Sequence, residues 1–185
     1  MKLVSSIVLA CLLFASVAWA QQVEVSASYL TQGSNQTPGG GDWFAAVGAR
    51  TDVSVGNWRH FAGVTEFAGT HTVGLNWPQQ NLFTYMAGPR RVVAFGGAKG
   101  HEASGFAQFL MGGVHGSDGL YPDGTMKYSA NGLAFSAGGG VEVNLNRRVS
   151  LRLLQADYLY THLPDHYNNF ESSFRLGAGF AFHLR

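Results

Sequence analysis

Six charged side chains share one property in this sequence: each falls on the polar side of an alternating apolar segment. Counting in steps of two from neighbouring phenylalanines sets Glu66, Arg90, Glu142 and Arg175 opposite the apolar face, because successive strand residues point to opposite sides. Arg152 follows, set against Val149, Leu151 and Leu153. The phase then slips at Leu153-Leu154, and a bulge there would turn Gln155 and Asp157 to the same side as Arg152. Three acids and three arginines can neutralise one another, since a guanidinium meets a carboxylate through two parallel bonds. Packed together they make a polar plug, whereas around open space they would line an ion or solute path. Catalysis by a carboxylate pair would need a nucleophile, and none is singled out beside them. The plug is the reading adopted.

Other residues with chemical potential are less organised. The histidines, His60, His71, His101, His115, His162, His166 and His183, are scattered. Only His162 and His166 have a ligand-like spacing, and Pro164 between them prevents a helix from aligning the pair. No metal or other cofactor is expected. Ser104 near His101 and Glu102 is the one grouping that suggests an activated serine, as a lipid-modifying enzyme would require. It falls in a turn between strands. Gly-Gly-Gly occurs at 39–41 and at 138–140, without the helix and lysine of a phosphate loop. The second run sits mid-strand, where glycine eases curvature and lets a neighbouring ring lie over the backbone.

The elements that must position these residues are strands. From Leu133 to Leu145, one face reads Leu, Phe, Ala, Gly, Val, Val, Leu, and the intervening residues are small or polar. The segment from Phe174 to Leu184 repeats the pattern. Eight such segments are predicted, at 22–31, 42–53, 58–69, 82–95, 102–115, 130–145, 148–162 and 172–184. Each is long enough for the nine to eleven residues or so of a tilted membrane-spanning strand. The connections alternate in length. Gln32–Gly41, Thr70–Asn81, Gly116–Ser129 and Leu163–Glu171 are long and rich in turn formers, whereas Ser54–Asn57, Gly96–His101 and Asn146-Arg147 are short. Short turns on one side and long loops on the other fit an outer-membrane barrel, with the loops outside and both termini in the periplasm. Tyr29, Trp43, Phe61, Phe67, Phe83, Tyr85, Phe95, Phe174 and Phe182 fall on the apolar faces, as aromatic girdles do at a water–lipid boundary.

Composition agrees with that class. Twenty-five glycines and thirteen phenylalanines accompany few charges, and the formal net charge is +1. No basic block suggests nucleic acid. The start of the chain reads as a signal peptide, residues 1–20: Lys2, the apolar run Leu3 to Val17, then Ala18-Trp19-Ala20 before a new N-terminus at Gln21. The single cysteine, Cys11, lies in that run, and a lipoprotein cut before it would leave a very short apolar core. Residues 21–185 then form one domain. Without Lys2, eleven basic residues balance eleven acidic ones.

Four stretches carry a family resemblance. They are Ala87-Gly88-Pro89-Arg90, Phe106 to Gly113, Gln155-Ala156-Asp157-Tyr158-Leu159-Tyr160-Thr161, and Asn168-Asn169-Phe170 through Arg175-Leu176-Gly177-Ala178-Gly179. The sequence resembles the outer-membrane-protein β-barrel domain family, related to the OmpA-type transmembrane domain. The resemblance covers most of residues 21–185 and is strongest after Phe83. It implies an all-β fold, an eight-stranded antiparallel up-and-down transmembrane β-barrel, placed by the outer-membrane insertion machinery. That machinery usually reads a terminal aromatic; here Phe182 is followed by His183-Leu184-Arg185. It also implies a structural, adhesive or surface-interaction role. No peptidoglycan-binding domain follows the barrel in this sequence, so tethering to the cell wall is not expected.

The expected protein is a monomer of the cell outer membrane, in contact with its lipid and lipopolysaccharide, and not an enzyme. Its working surface would be the long loops, with Trp77, Tyr121 and Tyr167 as contact anchors. The alternatives are a narrow pore for ions or small hydrophobic solutes and, behind it, a membrane-embedded lipid-modifying enzyme.

Overall fold

In the computed structural model, the described residues are 22–34, 44–56, 61–73, 81–96, 102–120, 127–163 and 170–184. The alternating segments become eight strands: β1 (Gln22–Ser34), β2 (Phe44–Gly56), β3 (Phe61–Val73), β4 (Asn81–Phe95), β5 (Ala103–Leu120), β6 (Lys127–Asn144), β7 (Val149–His162) and β8 (Phe170–Leu184). Each pairs antiparallel with its chain neighbours, and β1 pairs with β8 from Val23↔Leu184 to Ser34↔Ser173, which closes the barrel. Closure removes the two sheet edges whose backbone groups would otherwise lack partners.

The strands run further than the alternation suggests. β5 continues to Leu120 and β6 begins at Lys127, so much of the loop expected over Gly116–Ser129 is paired sheet. A register shift between Gly116 and Gly119 carries β5 through its glycines. β1 likewise reaches Ser34, β3 reaches Val73 and β4 starts at Asn81. The extensions of β1 and β5 are rich in turn formers, and cross-strand pairing outweighs local propensity there, whereas Thr70, Thr72 and Val73 in β3 favour the strand themselves. The alternation of long and short connections is consequently less regular than expected: 96–102 is as long as 74–80.

The outer surface is an apolar belt. Tyr29, Phe61, Phe67, Phe83, Phe109, Phe174 and Phe182 all point out and are exposed, together with Leu133, Leu153 and Leu154. Aromatics also cover outward glycines. A side chain at Gly105 would meet the Phe95 ring at 2.6 Å, and one at Gly113 would run into Tyr85. A ring laid over glycine protects the backbone bonds beneath it. Pro89 faces out in mid-strand, and the β4–β5 ladder skips from Ala87↔Met111 to Arg90↔Gln108, since proline has no N–H to give.

The inner surface is fitted by glycine. Gly138 on β6 leaves room for Asp157 and Gly140 for the Phe106 ring. The bulge expected in the seventh strand is present: pairing of β7 with β8 shifts between Arg152 and Gln155, and Leu153 and Leu154 both face out. Arg152, Gln155 and Asp157 therefore all point into the lumen, each almost fully buried.

Candidate functional site: the charged layer in the lumen

All six predicted site residues, Glu66, Arg90, Glu142, Arg152, Asp157 and Arg175, are buried inside the barrel. Three charged residues not anticipated from the sequence join them: Glu24 from β1, and Arg50 and Asp52 from β2. A signal for the last two is present. Between Ala46 and Ser54 the even-numbered residues are Ala, Gly, Arg, Asp and Ser, while Val47, Ala49, Thr51 and Val53 take the other face.

The layer has two halves. On the side of the shorter turns, Arg152 is the hub. Its Nε donates to Glu142 Oε1 at 2.7 Å and its Nη1 to Asp52 Oδ1 at 2.6 Å, to Ser26 Oγ at 3.0 Å and to Gln155 Oε1 at 2.9 Å. Arg90 reaches Asp52 Oδ2 at 2.9 Å and the Gln108 side-chain carbonyl at 2.9 Å. Both guanidiniums lie against one ring, 4.4 and 4.9 Å from the centre of Phe106, where the negative face of the π system attracts them. Glu24 is held more loosely, at 3.3 Å from Arg90 and 3.5 Å from Arg152.

The other half joins Arg50 and Arg175 to Glu66 and Asp157. Arg175 Nη2 donates to Glu66 Oε1 at 3.0 Å and to Ser136 Oγ at 3.2 Å. Arg50 Nη2 lies 2.7 Å from Asp157 Oδ2, yet none of its nitrogens is aligned for a hydrogen bond. That pair is held by charge rather than by direction. Gln108 and Gln155 tie the halves together through Asp157. Nine charges from seven strands thus meet across the barrel: four arginines and five carboxylates, counting Glu24. Such a set is tolerable out of water only because its members are paired.

Val64, Leu82, Met86, Leu110, Val114 and Leu159 form a buried apolar cluster inside the barrel. On the turn side a cavity of about 830 Å³ is lined by Glu24, Arg90, Phe106, Glu142, Asn144 and His183.

A catalytic reading of Ser150 fails on access. Ser150 Oγ is 2.7 Å from His183 Nε2, and His183 Nδ1 is 3.4 Å from Glu24 Oε2, in the order of a serine–histidine–acid relay. But Ser150 has no exposed surface, and its hydroxyl also lies 2.6 Å from Asn144 Oδ1. Ser104, which β5 holds as paired sheet rather than in the expected turn, lines the cavity with Glu102, while His101 lies outside the described residues. So do Trp43, Trp77, Tyr121 and Tyr167, and the other member of the spaced histidine pair, His166. Among the described residues no group of three or more His, Cys, Asp or Glu side chains could hold a metal.

A closed eight-stranded antiparallel barrel with an apolar outside and a charge-paired inside is the fold of the solved small outer-membrane barrels. Solved structures of that class share the fold. Ail, the attachment invasion locus protein of Yersinia pestis, superposes with a TM-score of 0.52 at 15% identity, over 88% of this chain and 98% of that one. Neisserial surface protein A gives 0.57 at 14% identity, over 89% and 97%. No family model matches the sequence, and no curated protein matches it.

Proposed function

We propose that this chain is a small integral outer-membrane protein with a sealed lumen, acting through envelope structure or surface contact rather than transport or catalysis. The observation that carries the reading is the stacking of a charge-paired layer and an apolar cluster inside the barrel, within a belt of outward aromatics. A side-chain-filled interior is what an eight-stranded barrel is just wide enough to hold. The names of the two similar structures, an attachment invasion locus protein and a surface protein, support a role at the cell surface. On this reading residues 1–20 are removed on export, and the folded barrel is a monomer bathed in lipid and lipopolysaccharide.

Fractionation combined with gel mobility tests the membrane assignment. The protein should sediment with outer membranes and run faster unheated than boiled, because a folded barrel resists detergent. Recovery as a soluble periplasmic protein would overturn it. Planar-bilayer recordings test the seal: purified barrel should give no reproducible single-channel steps, and large, regular steps would replace the plug with a pore. Exchange of the loop-side connections for those of another barrel should abolish any surface-binding phenotype.

A further inference from the structure

On the outer wall, β3 and β4 place three consecutive outward pairs side by side: Phe67↔Tyr85, Gly69↔Phe83 and His71↔Asn81. The first two enclose a hollow of about 310 Å³ with apolar walls, near the lower limit of small-ligand sites. Gly69 is its floor. Unlike Gly105 and Gly113, which their covering rings bury, Gly69 keeps partial exposure, and the Phe83 ring stands 3.1 Å from where a Cβ would be. The third pair caps the hollow on its loop side. His71 Nδ1 lies 2.7 Å from Asn81 Oδ1, so this nitrogen donates and Nε2 is left to face an outside group. The motif recurs beside it, where His115, the β5 partner of Phe83, holds Asn131 Oδ1 at 2.8 Å.

We infer that this hollow is a lipid site, taking one acyl chain of a lipopolysaccharide molecule between Phe67, Phe83 and Tyr85, with its polar lipid A head against His71 and His115. The inference rests on the membrane reading above. The hollow is continuous with the apolar belt, so its occupant is a membrane lipid. Its polar end is on the loop side, which the topology places in the outer leaflet. There the lipid is a phosphorylated glycolipid whose hydroxyl and amide donors lie at the depth where chain meets head. A histidine with Nδ1 committed to asparagine presents Nε2 to that head.

The test is the lipid retained by the full-length protein, purified folded from outer membranes in mild detergent. Lipopolysaccharide per barrel is measured by 3-hydroxyacyl analysis and phospholipid by glycerophosphate. Gly69→Leu fills the hollow, and the double variant His71→Ala/His115→Ala removes its polar cap. Gly63→Leu is the control, since a Cβ there meets only Val55 O at an ordinary 3.8 Å on the same outward face of the strand. The unchanged protein and Gly63→Leu should retain lipopolysaccharide, whereas each site variant should retain about five-fold less, the scale of one lost hydrogen bond or its apolar equivalent. Equal retention by Gly69→Leu and Gly63→Leu would overturn the site, and so would retention of phospholipid in place of lipopolysaccharide. The membrane reading is judged separately: its failure would appear as loss of outer-membrane sedimentation and heat-dependent mobility in the unchanged protein.

Discussion

Replacing Arg152 by alanine is expected to destabilise the folded barrel by about 3–5 kcal/mol, the cost of removing one member of a buried ion network. Arg152 is fully buried and, among the described residues, is the one side chain that touches both Asp52 and Glu142 at hydrogen-bond distance. Without it, Arg90 is left as the main counter-charge for Asp52 and Glu24, and Glu142 loses its direct partner. Denaturant titration in detergent, followed by the fraction of unheated protein running in the fast gel band, measures the effect. Conversion of the Arg152–Glu142 pair to a methionine and a leucine should recover much of the loss, because an apolar pair of similar volume avoids leaving one charge alone. If Arg152→Ala unfolds at the same denaturant concentration as the unchanged barrel, water must reach Asp52 and Glu142, and the lumen is not sealed at this layer.

Why these residues are legible in the sequence, and others are not, follows from the period of the strand. A break in alternation brings Arg152 and Asp157 to one face, because two adjacent leucines cannot both face outward without a bulge, and the bulge fixes the phase beyond it. Glu66, Arg90, Glu142 and Arg175 follow from the phenylalanines on the opposite face. Arg50 and Asp52 share the polar side of the same kind of alternation, opposite Trp43, Val47, Ala49 and Val53 in the sequence, so they are legible there too. Glu24 likewise alternates with Val23, Val25, Ala27 and Tyr29, on the side of Ser26 and Ser28. Which arginine meets which acid is not encoded locally in any case. Partners such as Arg152 and Asp52 are a hundred residues apart and meet only because the barrel closes and shears its strands. The strand ends depart from expectation for a related reason. Gly116 to Leu120 looks like a loop locally, but pairing with β6 holds it as sheet.

Gly138→Val is expected to be comparably damaging, at about 3–5 kcal/mol, through overpacking joined to the loss of an ion pair. Gly138 faces Asp157 across the β6–β7 ladder, and an added Cβ would lie 2.6 Å from Asp157 Cα. The obstruction is backbone, which a paired strand cannot move without breaking its ladder. The Asp157 carboxylate would be driven from its place beside Arg50, and Arg50 would be left with Glu66 at 3.5 Å as its remaining acid. The same denaturant titration should show an earlier transition and a smaller folded fraction after refolding. Gly63→Val provides the contrast, since an outward Cβ there makes only an ordinary contact and should shift the transition little. The difference between the two glycines separates a general strain on the sheet from a specific demand of the lumen. An unchanged transition for Gly138→Val would mean that the contact between Asp157 and Arg50 contributes nothing to closing the barrel.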